Sequence, residues 1–129
     1  MPEKSGKILV MDDEPTILEV TCLLLGRLGY EAVPATTGEE ALNKYQHAMA
    51  DDAPFDAVIL DITVPGGMGA IETIPLLWEL DPGVCAIVTS GLAGDMDEAS
   101  LLGMGFAGVL KKPYRMYDLR EILKNTIKN

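Results

Sequence analysis

Four short apolar runs in this chain each end on polar residues that are able to do chemistry. The runs are residues 8–11, 57–60, 86–88 and 109–110. The polar residues that follow them are Asp12 and Asp13, Asp61, Thr89 and Ser90, and Lys111 and Lys112. If the runs are strands of one parallel sheet, their carboxyl ends share an edge, and open α/β sheets bind ligands outside that edge. The pattern therefore predicts one site where three carboxylates, a hydroxyl and an ammonium group converge.

The predicted cluster of Asp12, Asp13 and Asp61 constrains the chemistry of this site. Close carboxylates repel one another, so holding three together calls for a divalent metal ion and an anionic reactant. The residues that follow the first run lack the Gly-rich turn of a dinucleotide-binding fold, and a Walker A motif is absent as well. What remains is a carboxylate nucleophile beside a metal-binding pair, which is the arrangement for forming an aspartyl phosphate.

The charge of the chain limits its partners. Twenty acidic residues against ten basic ones give a formal net charge of -10, which repels nucleic acid and anionic membranes and favours a basic protein surface. No run approaches the roughly 20 apolar residues of a membrane span, and the first residues contain no apolar leader segment. Cys22 and Cys85 lie in apolar stretches and are interpreted as reduced core residues. We therefore expect a cytoplasmic protein that contacts neither nucleic acid nor membrane directly.

Strand-like and helix-like segments alternate five times, which is typical of βαβ units in an α/β domain spanning residues 1–129. The expected strands are residues 7–12, 31–35, 55–61, 84–90 and 107–111, with the third in the middle of the sheet. The expected helices are residues 14–28, 37–49, a segment ending at 80, a short segment from 95 to 103 or 105, and 116–127. Pro75 removes one intrahelical hydrogen bond, so the third helix should either start late, near Thr73, or have an irregular first turn.

The polar residues at the strand ends, taken in order, resemble those of response-regulator receiver domains, the phosphoaccepting modules of two-component phosphorelay signalling. The resemblance covers nearly the whole chain and rests on Asp12-Asp13, Asp61 with Pro65, Ser90-Gly91, and Lys112-Pro113-Tyr114. It implies a flavodoxin-like, doubly wound sheet of five parallel strands in the order 2-1-3-4-5 with five helices, a (βα)5 fold. It also implies a cis peptide bond between Lys112 and Pro113.

The same resemblance implies a role for each site residue. Asp61 would be the phosphoacceptor, which takes the phosphoryl group from a phosphohistidine of a histidine kinase or a His-phosphotransfer domain. Mg²⁺, which prefers oxygen ligands, would be bound by Asp61, directly by Asp13, through water by Asp12, and by the backbone carbonyl of Thr63. Lys112 and Ser90 would contact further phosphoryl oxygens, so that the protein supplies positioning and charge stabilisation.

Two of these residues have a neighbour that competes for the same role. Lys111 also lies at a strand end, but Lys112 directly precedes Pro113, as in the motif of the family. Thr89 competes with Ser90, which is preferred because it precedes Gly91, a position where the family has a small residue that admits phosphate.

Val109 departs from the pattern of the family. Many receivers carry an aromatic residue three positions before the site lysine, and this side chain swings inward on activation. With Val109 there, the ring-flip form of the switch cannot operate. The resemblance also implies that the residues two positions after the phosphoacceptor and after the hydroxyl, Thr63 and Leu92, tune the attacking water. Neither is an acid or an amide, so we expect slow hydrolysis of the phosphoryl group.

The resemblance implies a phosphoacceptor with at most weak autophosphatase activity. Two alternatives to a phosphoaccepting receiver are less consistent with the sequence. A Mg²⁺-dependent phosphohydrolase that forms an aspartyl phosphate is disfavoured, since Asp61-Ile62-Thr63 lacks the second acid of an Asp-x-Asp motif and the chain has no room for a cap domain. A degenerate receiver that serves only as a protein-binding scaffold is disfavoured because every site position is filled. The segments 65–69 and 105–114 are most similar to receivers of hybrid sensor histidine kinases, and a homodimer is compatible with the sequence.

Overall fold

The apolar runs form one parallel sheet, with β3 at its centre. The computed structural model describes residues 6–62, 64, 67–91 and 97–127. The strands are β1 Gly6–Met11, β2 Tyr30–Ala35, β3 Ala57–Asp61, β4 Ala86–Ser90 and β5 Gly108–Lys111. Their order is β2-β1-β3-β4-β5, which confirms the predicted doubly wound topology. The helices are α1 Pro15–Arg27, α2 Gly38–Ala50, α3 Ala70–Leu80, α4 Glu98–Gly103 and α5 Met116–Thr126.

The alternation of side chains along each strand supplies both layers of the core. Leu60 of β3 belongs to the cluster that packs with α2, α3 and α4, whereas Ile59 belongs to the cluster that packs with α1 and α5. Every residue of β3 and of β4 is buried, as expected for central strands that helices cover on both faces. The centre of the sheet is therefore buried, whereas the edge strands β2 and β5 are partly exposed.

The ends of α1 and α2 follow from local sequence. Pro15 occupies the first turn of α1, and Gly29, which follows the helix, has a φ of 99°, a left-handed conformation that favours glycine. Thr37 caps α2, since its side chain accepts a hydrogen bond from the backbone N–H of Glu40 at 3.2 Å. The carboxylate of Glu40 in turn accepts a hydrogen bond from the backbone N–H of Thr36 at 2.7 Å.

The expected beginning of the third helix is wrong. α3 begins at Ala70, and the backbone N–H of Thr73 donates to the carbonyl of Gly69 at 3.1 Å, so its first turn is regular. The backbone N–H of Gly69 donates to the side chain of Glu72 at 3.0 Å, which caps the helix ahead of Pro75. Because Pro75 is the sixth residue of α3, the hydrogen bond that it cannot make lies beyond the first turn.

The fourth helix begins later than expected. Asp97 caps α4 by accepting a hydrogen bond from the backbone N–H of Ser100 at 2.8 Å, and the helix runs from Glu98 to Gly103. Asp95, where the helix was expected to open, lies outside the described residues. The other strand and helix boundaries agree with the expected ones to within two residues, and several match them at the same residue.

The edge strand β2 contains a proline. Pro34 pairs with Val10 of β1, and its carbonyl accepts a hydrogen bond from the side chain of Lys44 on α2. Lys44 also forms an ion pair with Glu40 at 3.2 Å.

Within the described part of the chain, no helix has both the length and the apolar character that crossing a bilayer requires.

Candidate functional site

Three carboxylates meet at the carboxyl end of the sheet. One side-chain oxygen from each of Asp12, Asp13 and Asp61 lies within 4.8 Å of the other two, so the three form a possible metal site. Asp12 follows β1 and Asp61 ends β3, and the two residues are only 2% and 4% exposed. Asp13 is half-buried and lies nearer to solvent. The structure therefore brings together the acidic residues that the sequence places after two separate strands.

The ammonium group of Lys112 lies between two of these acids. Its Nζ atom is 3.0 Å from Asp12 Oδ2 and 3.3 Å from Asp61 Oδ1. Burial lowers the pKa of Lys112, but its hydrogen bonds to the two carboxylates and their charges outweigh burial and hold the pKa above its usual value. Lys111 is exposed, and no ion pair of its side chain is found among the described residues. Alternation at the end of β5 thus brings Lys112 to the acids.

Backbone hydrogen bonds beyond the strand ends position these side chains. The N–H of Asp12 donates to the carbonyl of Ala35 at 3.1 Å, and the N–H of Lys112 donates to the carbonyl of Ser90 at 2.8 Å. Asp12 Oδ1 accepts a hydrogen bond from the N–H of Glu14 at 2.9 Å, which turns the chain into α1. The peptide bond between Lys112 and Pro113 is cis, as the resemblance implied.

The two candidate hydroxyl groups at the end of β4 lie on opposite faces of the sheet. Ser90 alternates with Val88, which packs toward α2, α3 and α4, while Thr89 alternates with Ile87, which packs toward α1 and α5. Ser90 is 4% exposed and Thr89 is 2% exposed. Among the described residues, Thr89 Oγ1 is the buried side-chain polar atom without a hydrogen-bond partner. From the sequence, Thr89 was considered only as a competitor of Ser90 for the hydroxyl role, although its position on the same face as Asp61 follows from strand alternation.

An apolar cavity of about 410 Å³ adjoins the site between α1 and the segment after β5. It is lined by Thr16, Ile17, Val20, Thr21, Leu24, Lys112, Pro113 and Tyr114. The hydroxyl groups of Thr21 and Tyr114 are hydrogen-bonded at 2.7 Å, which ties α1 to this segment. Val20 and Leu23 of α1 are 48% and 58% exposed, so an apolar surface extends from the cavity along the helix. This cavity could not be predicted from the sequence, because α1 and the segment after β5 are far apart in the chain.

Several residues of the expected site are not placed by the structure. Thr63, Pro65 and Leu92 lie outside the described residues, so the expected metal contact of the Thr63 carbonyl and the expected effect of Leu92 on water stay predictions. Val109 is half-buried and packs against the core cluster on the side of α4.

Comparison with known proteins identifies relatives of the whole domain. Residues 8–124 match the family described as the response regulator receiver domain. The probable transcriptional regulator ycf27 of Guillardia theta is 33% identical over 132 residues, which cover 98% of this chain and 48% of that protein. A crystal structure of a response regulator receiver domain protein from Clostridium thermocellum has a TM-score of 0.81 and 29% identity, covering 93% of this chain and 92% of that one.

A second curated relative has a different architecture. Hybrid signal transduction histidine kinase L of Dictyostelium discoideum is 27% identical over 129 residues, which cover 96% of this chain and 7% of that protein. The chain thus spans about half, or much less, of the length of these two curated relatives. Because one relative is named as a transcriptional regulator and the other as a hybrid kinase, an origin in a hybrid kinase stays a prediction.

Proposed function

This chain belongs to the response regulator receiver domain family, and we propose that it accepts a phosphoryl group on Asp61. The observation that carries this assignment is the position of Asp61 at the end of the central strand β3. There it is 4% exposed, lies 3.3 Å from the ammonium group of Lys112, and shares its cluster with Asp12 and Asp13. Asp12 is equally buried and lies 3.0 Å from Lys112, but it follows β1 rather than the central strand, and its two side-chain oxygens are engaged by the backbone N–H of Glu14 and by Lys112.

The proposed reaction follows from the chemistry of this cluster. A carboxylate oxygen of Asp61 attacks the phosphorus of a phosphohistidine, an O–P bond forms, and the N–P bond to the imidazole breaks. Lys112 and Ser90 contact phosphoryl oxygens and stabilise their charge. Lys112 is already held at this end of the sheet by Asp12 at 3.0 Å, so little reorganisation is needed. Slow hydrolysis of the acyl phosphate by the domain itself is the only catalysis that we propose.

The acidic cluster has the donors that suit Mg²⁺. Its three carboxylates face one nearby ammonium group, so a divalent ion offsets the remaining negative charge. Both side-chain oxygens of Asp12 already accept hydrogen bonds or ion pairs, one from the backbone of Glu14 and one from Lys112. This supports an outer-sphere role for Asp12 and a direct role for the half-buried Asp13 and for Asp61, with the Thr63 carbonyl as a further ligand. When bound, Mg²⁺ would neutralise charge between the attacking carboxylate and the phosphoryl group.

We propose a histidine kinase or a His-phosphotransfer domain as the phosphodonor. The exposed apolar side chains Val20 and Leu23 of α1 lie beside the cavity that Lys112 and Tyr114 line, and they offer a surface for a protein partner. The net charge of -10 favours a partner with a basic surface and disfavours contact with nucleic acid or membrane by this chain. A cytoplasmic location is consistent with this partner, and a homodimer of the domain is compatible with it.

Intact-mass spectrometry after incubation with acetyl phosphate and Mg²⁺ tests the assignment of Asp61. The wild-type chain should gain one phosphoryl group, and Asp61→Asn should gain none. Asp56→Asn is the matched control, since Asp56 precedes the same strand at its opposite end and accepts a hydrogen bond from the backbone N–H of Lys7 at 2.7 Å. An equal mass gain in wild type and Asp61→Asn would show that Asp61 is not the acceptor.

A further inference from the structure

The unpaired hydroxyl group of Thr89 is a local defect in an otherwise well-paired core. The residue is 2% exposed, and its Oγ1 atom has no hydrogen-bond partner. A hydroxyl group offers one donor and two acceptor sites, and leaving them unused in the protein interior is destabilising. Valine has nearly the same shape and would avoid this penalty. Stability alone therefore gives no reason for a threonine here, and a role in the adjacent site is the natural explanation to test.

Thr89 is the direct neighbour of Asp61 across the sheet. The Cα atoms of the two residues are partners in the parallel pairing of β3 with β4, and the backbone N–H of Ile62 donates to the carbonyl of Thr89 at 3.0 Å. Ile59 and Ile87, two positions earlier on the two strands, both pack in the cluster on the side of α1 and α5. Because side chains alternate along a strand, Thr89 and Asp61 project from this same face.

Lys112 reaches Asp61 from the far side of Thr89. Thr89 pairs with Leu110 of β5, which packs on the same face, and Lys112 follows two residues later. To lie 3.3 Å from Asp61 on β3, the side chain of Lys112 crosses β4 at the level of its end. The contact of Lys112 with Asp12, at 3.0 Å, is the shorter one. Lys112 thus contacts the Asp61 carboxylate at 3.3 Å on the face of the sheet that carries Thr89.

We propose that Thr89 is a positioning residue for Asp61. When Lys112 turns from the carboxylate to the incoming phosphoryl group, the Thr89 hydroxyl donates a hydrogen bond to the oxygen of Asp61 that does not attack. This keeps the attacking oxygen aimed at phosphorus, and after transfer the same hydrogen bond is accepted by the carbonyl oxygen of the acyl phosphate. The inference rests on the proposed function of Asp61.

Three substitutions at one position separate the hydroxyl group from the shape of the side chain. Thr89→Val keeps the shape and removes the hydroxyl group, while Thr89→Ser and Thr89→Ala differ from each other only in that group. The control is Thr126→Val at the opposite end of the sheet, where the Thr126 hydroxyl group donates to the carbonyl of Ile122 at 2.6 Å. Each variant is measured for its thermal midpoint without Mg²⁺ or donor, and for the rate of phosphorylation over a range of acetyl phosphate concentrations.

Thr89→Val should be more stable than wild type, with Tm about 4 °C higher, because a buried unpaired group is removed. Its maximal phosphorylation rate should fall about tenfold, with the donor concentration for half-maximal rate unchanged, since the lost hydrogen bond acts in the transition state. Thr89→Ser should react at nearly the wild-type rate, and Thr89→Ala about tenfold more slowly than Thr89→Ser. Thr126→Val should lose stability and keep the wild-type rate.

A wild-type rate in Thr89→Val, or equal rates in Thr89→Ser and Thr89→Ala, would overturn the proposal even if Asp61 is the acceptor. The comparison of serine with alanine decides the matter if Thr89→Val does not fold. Failure of the proposed function has a different signature, because wild type would then gain no phosphoryl group, or Asp61→Asn would gain as much as wild type. In that case the role of Thr89 falls with it.

Discussion

The two ends of the sheet treat their polar groups differently. At the amino end, the backbone N–H of Lys7 donates to Asp56, and its ammonium group donates to the carbonyl of Ala53. The hydroxyl group of the buried Tyr45 donates to Asp81. At the carboxyl end, three acids cluster, one ammonium group contacts two of them, and a buried hydroxyl group has no partner among the described residues. The polar groups named at the amino end thus stabilise the fold. At the carboxyl end, the clustered carboxylates and the Thr89 hydroxyl group can still bind a cation or form a hydrogen bond. Substitutions at the amino end should therefore change stability and leave phosphorylation unchanged, whereas substitutions at the carboxyl end should change phosphorylation.

The strongest test of this contrast is Lys112→Ala. Removing the ammonium group should slow phosphorylation by acetyl phosphate about 100-fold or more, because charge on the phosphoryl group is no longer stabilised. Lys111→Ala is the matched control, since Lys111 is adjacent, exposed and outside the cluster, and it should react at the wild-type rate. Rates come from intact mass against time. A larger loss in Lys111→Ala would reverse the assignment of the two lysines.

The next test compares the two acids that follow β1. Asp13→Asn should weaken Mg²⁺ binding about 100-fold, because a direct ligand is lost, while Asp12→Asn should weaken it about tenfold through the outer sphere. Asp12 is already engaged by Lys112 and by the backbone of Glu14, which is the reason for the smaller expected effect. Isothermal titration calorimetry with Mg²⁺ measures both. Equal or reversed effects would mean that the two roles are misassigned.

A substitution away from the site should have the opposite profile. The side chain of Tyr45 is only 1% exposed, and its hydroxyl group donates a hydrogen bond to the carboxylate of Asp81. Tyr45→Phe removes this hydrogen bond. The free energy of unfolding should fall by about 1 to 2 kcal/mol, measured by urea denaturation. Phosphorylation of Tyr45→Phe should be unchanged. A slower phosphorylation rate in this variant would show that the two ends of the molecule are coupled.

The smallest expected effect concerns alkaline pH. Burial, and then the hydrogen bond to Asp81, raise the pKa of Tyr45 above its usual value near 10. The folded state therefore keeps a proton that the unfolded state releases, so this stabilisation is complete below about pH 10 and is lost as the pH rises further. The unfolding free energy of wild type should fall more steeply above about pH 10 than that of Tyr45→Phe. Parallel slopes from urea denaturation would contradict the assignment.

The strand ends were more predictable from the sequence than the helix starts. Asp12, Asp61 and Lys112 follow apolar runs, and parallel pairing brings such residues to one edge whatever the exact register. The predicted start of α3 was wrong because it was based on Pro75, whereas the helix start is set by the cap that Gly69 and Glu72 form. Predicting a helix start requires knowing which carboxylate accepts a hydrogen bond from the backbone N–H of the capping residue. Several acids in this chain have a spacing that would allow this hydrogen bond.

For Thr89, the sequence predicts the face of the sheet but not the environment of the hydroxyl group. Alternation places Thr89 and Asp61 on one face, and this could have been stated in advance. The burial of this hydroxyl group without a partner depends on what packs against this face of β4, and α1 and α5, which pack on this face, are distant from Thr89 in the chain. The same holds for the cavity beside Tyr114, whose walls come from α1 and from the segment after β5.

The proline in β2 has a consequence for self-association. A sheet edge can recruit a strand from another molecule through its outward N–H and C=O groups. Pro34 has no N–H group to offer, and its carbonyl is occupied by Lys44 of the same molecule. The β2 edge is therefore closed to strand addition at this point. This interruption disfavours growth of a continuous intermolecular sheet along β2.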